Sequence, residues 1–135
     1  MSMVVSDISD PQFGAEDLLA RLEACDPAML DRIGFGVVRM NRDGDVVCYN
    51  DFESRLSGLS PGQVVGRHFF TAVGPCMNNF MVAHRFENED ALDSTIDYLF
   101  TFAMRPTSVR LRLLKSPDSR FMYLLVQRRG RGGSA

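Results

Sequence analysis

The sequence predicts an α+β domain: a five-stranded antiparallel sheet flanked by short helices, with a helical cap at the N-terminus. Three observations predict it. Two β-rich runs, "GFGVVRM" and "DVVCYN", flank "NRDGD", whose Asp43-Gly44 is a strong reversal signal. Three further β-rich runs, "STIDYLFTFAM", "SVRLRLL" and "RFMYLLVQRR", follow in quick succession. Segments with helical spacing precede and separate these two groups, so hairpin-linked strands with helices packed on one face are the expected architecture.

In chain order, the first 30 residues read as the cap. "GAEDLLARLEAC" sets Leu18, Leu19 and Leu22 at helical spacing, and a second short helix opens at Asp26-Pro27, a capping carboxylate followed by proline. After the hairpin, "DFESRLSGLSPGQVVGRHFF" breaks into short helical pieces at Gly58, Pro61, Gly62 and Gly66, with Ser60-Pro61 as a helix start. "NNFMVAHRFENEDAL" carries Phe80, Met81, His84 and Phe86 near helical spacing and predicts a helix directly after Cys76. Among the later strands, Ile96, Tyr98, Phe100 and Phe102 share one face. "SVRLRLL" alternates arginine with aliphatics, which predicts one solvated face and one buried face. The division is a cap over 1–30, a core over 31–128 and a tail over 129–135, the basic "QRRGRGGSA" reading as a flexible end.

A chain of 135 residues is one domain with room for a single core, and 45% apolar with 24% charged residues is ordinary for a globular protein. A net charge of -2 argues against a nucleic-acid partner, which needs a basic face to neutralise phosphates. No run approaches the roughly 18 apolar residues of a membrane span, and "MSMVVSDISD" lacks the basic and apolar regions of a signal peptide. A cytoplasmic protein with no membrane partner is expected. Three cysteines without a CxxC spacing suggest neither a disulfide framework nor a zinc site, and two histidines are too few for a metal cluster.

Two features carry candidate chemistry. Cys76 follows Gly74-Pro75 at the junction between a loop and the expected helix, where the positive end of a helix favours a thiolate. Its ordinary reading is a small packing residue, as for Cys25 and Cys48. Tyr49 and Glu53 stand four residues apart across a strand-to-helix junction and can face one pocket. The ordinary reading of Glu53 is a solvated carboxylate.

The segments "IGFGVVRMNRDGDVVCYN", "SGLSPGQVVGRHFF", "FTAVGPCM" and "DYLFTFAMRPTSVRLRL" resemble the photoactive yellow protein family, blue-light receptors of the PAS superfamily, over about Phe13 to Arg128. The resemblance implies a PAS fold and p-coumaric acid bound as a thioester on Cys76. It implies that Tyr49 and a protonated Glu53 hold the ligand's phenolate, with Ser57 supporting the tyrosine. Phe69, Phe70, Phe100, Phe102 and Met104 are expected to line or close the pocket. Leu59 stands where the family usually has an arginine over the pocket mouth, and Met77 follows the cysteine where small polar residues are common. Light would isomerise the ligand and draw the proton from Glu53. The carboxylate left behind, buried and uncompensated, would loosen the cap and signal to a downstream protein that the sequence does not name. A monomer or weak dimer is expected. The alternative is a light-insensitive PAS module that binds a partner or a small apolar ligand. A cysteine enzyme pairing Cys76 with His68 lacks an orienting carboxylate, so no enzymatic activity is expected.

Overall fold

Asn41 closes the first hairpin: its Oδ1 accepts from the amides of Asp43 and Asp45, at 2.9 and 3.0 Å. Gly44 completes the reversal at a φ of 94°, a conformation that L side chains rarely adopt. A computed structural model describes residues 11–100 and 106–128. Its elements run α1 Leu18–Glu23, α2 Pro27–Leu30, β1 Gly36–Met40, β2 Val46–Tyr49, α3 Asp51–Ser57 and α4 Pro61–Val64. A π turn over Phe69–Val73 and a 3-10 turn over Pro75–Met77 come next, then α5 Ala83–Asn88, β3 Leu92–Phe100, β4 Thr107–Lys115 and β5 Met122–Arg128. No helix among the described residues is long and apolar enough to cross a membrane.

The five strands form one antiparallel sheet in the order β2-β1-β5-β4-β3. The first and last strands lie side by side, Gly36 opposite Val126 and Met40 opposite Met122. Neighbouring residues send their side chains to opposite faces. Val38, Leu113 and Leu124 join one apolar cluster with Phe69, Phe70 and Phe86. Val37, Leu114 and Leu125 join a second with Phe13, Leu18, Leu22 and Leu30. Helices on one face only were expected; the cap covers the other, so β1 and the middle of β4 and β5 are buried on both.

This cover corrects the solvated arginine face. Arg110 is exposed, but the Arg112 side chain keeps only 7% of its surface. It donates to the carbonyls of Phe13 and Ala15, each at 2.8 Å, and forks onto Asp93 at 2.9 and 3.0 Å. Arg39, also buried, donates to the carbonyls of Leu22 and Cys25, at 2.6 and 2.8 Å, and to Tyr123 Oη at 3.1 Å. Carbonyls at the end of a short helix lack intrahelical donors, and a five-donor guanidinium can satisfy several at once. Glu23 completes the junction, accepting from Tyr123 Oη at 2.9 Å and from the Arg120 amide at 2.8 Å.

One more expectation shifts. The helix after Cys76 begins only at Ala83, because Asn79 Oδ1 takes the amides of Met81 and Val82, at 2.9 and 3.2 Å, and holds a turn there. Phe80, counted at near-helical spacing in that segment, lies before the helix and is 75% exposed. Gln127 and Arg128, inside the expected core of 31–128, are the last residues of β5. Tail residues 129–135 and cap residues 1–10 lie outside the described part of the chain.

Candidate ligand pocket

Asn50 places the site. It caps α3 by accepting the Glu53 amide at 3.1 Å, and the same Oδ1 accepts the Val37 amide of β1 at 2.9 Å. Its Nδ2 donates to the carbonyls of Leu30 and Phe35, at 2.9 and 3.0 Å. With the start of α3 fixed, Glu53 and Ser57 follow one turn apart on the side of Tyr49, the last residue of β2. Tyr49 Oη donates to Ser57 Oγ at 2.9 Å. Glu53 crosses β1 where Gly36 has no side chain, and a Cβ there would fall onto Glu53 Oε1.

These groups form one side of a cavity of about 250 Å³. Val38, Phe69, Met77, Phe100 and Val126 supply apolar walls, with Leu59 also at its edge. The volume falls just below the usual range for ligand pockets, about 300 to 1,000 Å³. Burial, with the Glu53 charge adding to it, pushes the Tyr49 hydroxyl up to about 12, so it stays a neutral donor. Burial also pushes the Glu53 carboxyl up, against the opposing pull of an arginine.

That arginine is Arg128. Its Nη1 reaches Glu53 Oε1 at 2.6 Å and its Nη2 reaches Oε2 at 3.2 Å, while the guanidinium lies 5.7 Å from the centre of the Phe100 ring. The two side chains keep 14% and 6% of their surface. A guanidinium fork on both oxygens is the geometry of a carboxylate pair. Sequence reading missed Arg128 because it ends an apolar run and borders a basic tail, while its partner lies 75 positions away.

Cys76 is half-buried in the 3-10 turn, not at the head of an α-helix, so the argument from a helix dipole has no full helix to act through. Tyr98 Oη and Asn79 Nδ2 donate to the Cys76 carbonyl at 2.7 and 3.1 Å, and Asn79 also donates to Tyr98 at 2.8 Å. Tyr98 is a second residue that sequence reading left out of the site. Its place on the half-buried stripe of β3 was the available signal.

The photoactive yellow protein of Rhodobacter capsulatus is 30% identical to the chain over 122 residues, which are 86% of this chain and 95% of that protein. This chain belongs to the photoactive yellow protein family. The photoactive yellow protein of Rhodothalassium salexigens is 28% identical over 120 residues, covering 87% and 96% of the two chains. Among solved structures, the photoactive yellow protein domain of the sensor histidine kinase Ppr from Rhodospirillum centenum aligns at a TM-score of 0.74 with 31% identity. That alignment covers 82% of this chain and all but 1% of the domain, that is 99%. A Rhodobacter sphaeroides LOV protein, 19% identical at a TM-score of 0.62, shares the fold alone. No family model matches the chain. The sheet order, helices and neighbours make this a PAS fold.

Of the residues that the photoactive yellow protein resemblance singles out, Tyr49, Glu53, Ser57, Phe69 and Phe100 meet around the one cavity. Cys76 packs against the same apolar cluster, but its neighbours Gly74 and Met77 border the cavity and its own side chain does not. Met77 Cε and Phe69 Cζ crowd Gly74, lying 2.8 and 2.9 Å from where a Cβ would stand. Phe70 turns away from the cavity, edge-on to Phe69 at 5.1 Å and tilted against Phe86 at 5.9 Å, because the π turn sends the two adjacent rings in different directions. Phe102 and Met104 lie outside the described residues.

Proposed function

We propose that this member of the photoactive yellow protein family is a non-enzymatic blue-light receptor that carries p-coumaric acid as a thioester on Cys76. The observation that carries the reading is the cavity itself: a hydroxyl pair and a carboxyl at one side, apolar and aromatic walls elsewhere, and a thiol-bearing turn beside it. That donor set suits an aromatic ring bearing one polar oxygen. When bound, the p-coumaroyl group supplies the light absorption and the trans-to-cis isomerisation.

The chain's own residues do the rest. Tyr49 and a protonated Glu53 donate to the ring oxygen, and Phe69 and Phe100 keep water from it. Tyr98 and Asn79 hold the Cys76 backbone still while Met77, an unbranched and adaptable side chain, swings to admit the ligand. Glu53 is the proton donor after isomerisation. Asn50 bonds both the Glu53 amide and the Leu30 carbonyl, which supports the cap as the element that responds. A signalling protein reads the released cap, in the cytoplasm and with no membrane or nucleic acid involved. A monomer or weak dimer suffices for this output.

Incubation of the purified protein with an activated p-coumaroyl donor is expected to add one p-coumaroyl group by intact mass and to create a visible absorption band. Cys76→Ser is expected to lose both. A second reading, a light-insensitive module for a small apolar ligand, draws on the side chain of Cys76 standing off the cavity and that of Met77 standing on it. Absence of an adduct at Cys76 would favour that module, and turnover of the donor without modification would favour an enzyme.

A further inference from the structure

Behind Glu53, itself on the cavity wall, stands a cation that the proposed chemistry has not used, Arg128. The groups facing Glu53 are Tyr49 from β2, Ser57 from its own helix and Arg128 from β5; β1 offers only Gly36 and Val38. Tyr49 is neutral, so among the described residues the Glu53 carboxylate on the cavity wall and the Arg128 guanidinium bonded to it make up the charge here. Taking either away leaves a buried charge without a partner, which is far costlier than the pair.

We propose that Arg128 is the resident counter-charge of the pocket: it holds Glu53 as a carboxylate in the empty protein and pairs with the single anionic oxygen of a phenolic ligand once that ligand is bound. This rests on the reading of a phenolic ligand in this cavity. The proton balance is closed. A neutral phenol enters beside Glu53 carboxylate and Arg128; the phenol O–H bond breaks and its proton forms the Glu53 carboxylic acid. The electron pair stays on the ring oxygen, with Arg128 held just behind Glu53. One anion and one cation are present before and after, so no net charge is buried and no outside proton is required.

A second consequence concerns the light response. When Glu53 returns its proton to the ring oxygen, the carboxylate regains Arg128 as its partner. The buried carboxylate expected from family resemblance to stand uncompensated is therefore compensated here. Arg128 shortens the life of any state that depends on an isolated Glu53 charge.

Infrared difference spectra of the empty protein against Glu53→Gln test the first half without any ligand. Carboxylate bands and no protonated-carboxyl stretch are expected at neutral pH, and the protonated stretch is expected to emerge in Arg128→Met. In the p-coumaroyl adduct, the wild-type chain is expected to show the protonated Glu53 stretch. Acid titration of its long-wavelength band should show an apparent pKa at least about one unit higher in Arg128→Met, a tenfold change in proton affinity. Arg128→Lys, which keeps the charge and loses the fork, should recover part of that shift. A protonated Glu53 in the empty wild type, or a titration that Arg128→Met leaves in place, overturns the inference. Failure to form the adduct overturns the thioester reading instead, and the empty-protein spectra still decide the charge of Glu53.

Discussion

Arg128→Met is expected to destabilise the empty protein by about 3–5 kcal/mol at neutral pH, the usual cost of removing one partner from a buried ion pair. Glu53 is buried and Arg128 largely so, at 6% and 14% of side-chain surface, the bonds run at 2.6 and 3.2 Å, and the cavity wall beside Glu53 is largely aromatic and aliphatic. The pH dependence follows from Glu53. Its folded carboxyl is already raised by burial, and without Arg128 nothing opposes that rise. A raised acid binds more protons folded than unfolded, so the variant is most stable below the ordinary carboxyl range. It loses stability as pH rises from there through the folded value. Acid also removes the partner of Arg128 in the wild type, so the two proteins should converge on acidification. Urea midpoints across a pH series measure this. Glu53→Gln combined with Arg128→Met should recover most of the loss at neutral pH. If the single and double variants are equally unstable there, the ion pair is not what the arginine provides.

Arg112→Met is expected to cost about 2–4 kcal/mol and to loosen the cap selectively. Its guanidinium links β4 to two cap carbonyls, and methionine supplies the bulk but none of the donors. The Asp93 arm contributes less, because that carboxylate is 56% exposed and screened. Amide hydrogen exchange over Leu18–Leu30 should accelerate more than over Met122–Arg128. Arg110→Met, two residues away with its side chain 45% exposed, should change stability by no more than about 0.5 kcal/mol. Equal effects of the two substitutions would show that the cap is held by apolar contact alone.

Much of this site was legible in the residues. Tyr49 and Glu53 converge because a capping asparagine sits between them, and i, i+4 spacing is a local rule that needs no tertiary information. Asp26-Pro27 and Asp43-Gly44 likewise mark their own turns, the first with Asp26 accepting the Met29 amide at 2.9 Å. The helix expected after Cys76 failed for a local reason as well: Asn79 bonds its own following amides, a competing turn that apolar spacing does not register. Phe70 shows the limit of pattern for side-chain direction, since adjacent aromatic residues in a π turn cannot both face one cavity.

By itself, then, the sequence determined the strands, their turns, the caps and the family to which the chain belongs, all of which rest on short-range residue patterns. Only the tertiary structure decided which charges are buried. β1 pairs with β5 across most of the chain, and that pairing brings Arg128 beside Glu53 and Arg39 beneath the cap. An arginine reads as solvated until a carboxylate or carbonyl from a distant segment is placed within reach of its donors. That placement is set by the sheet order, and it changes Glu53 from a candidate neutral donor into half of an ion pair.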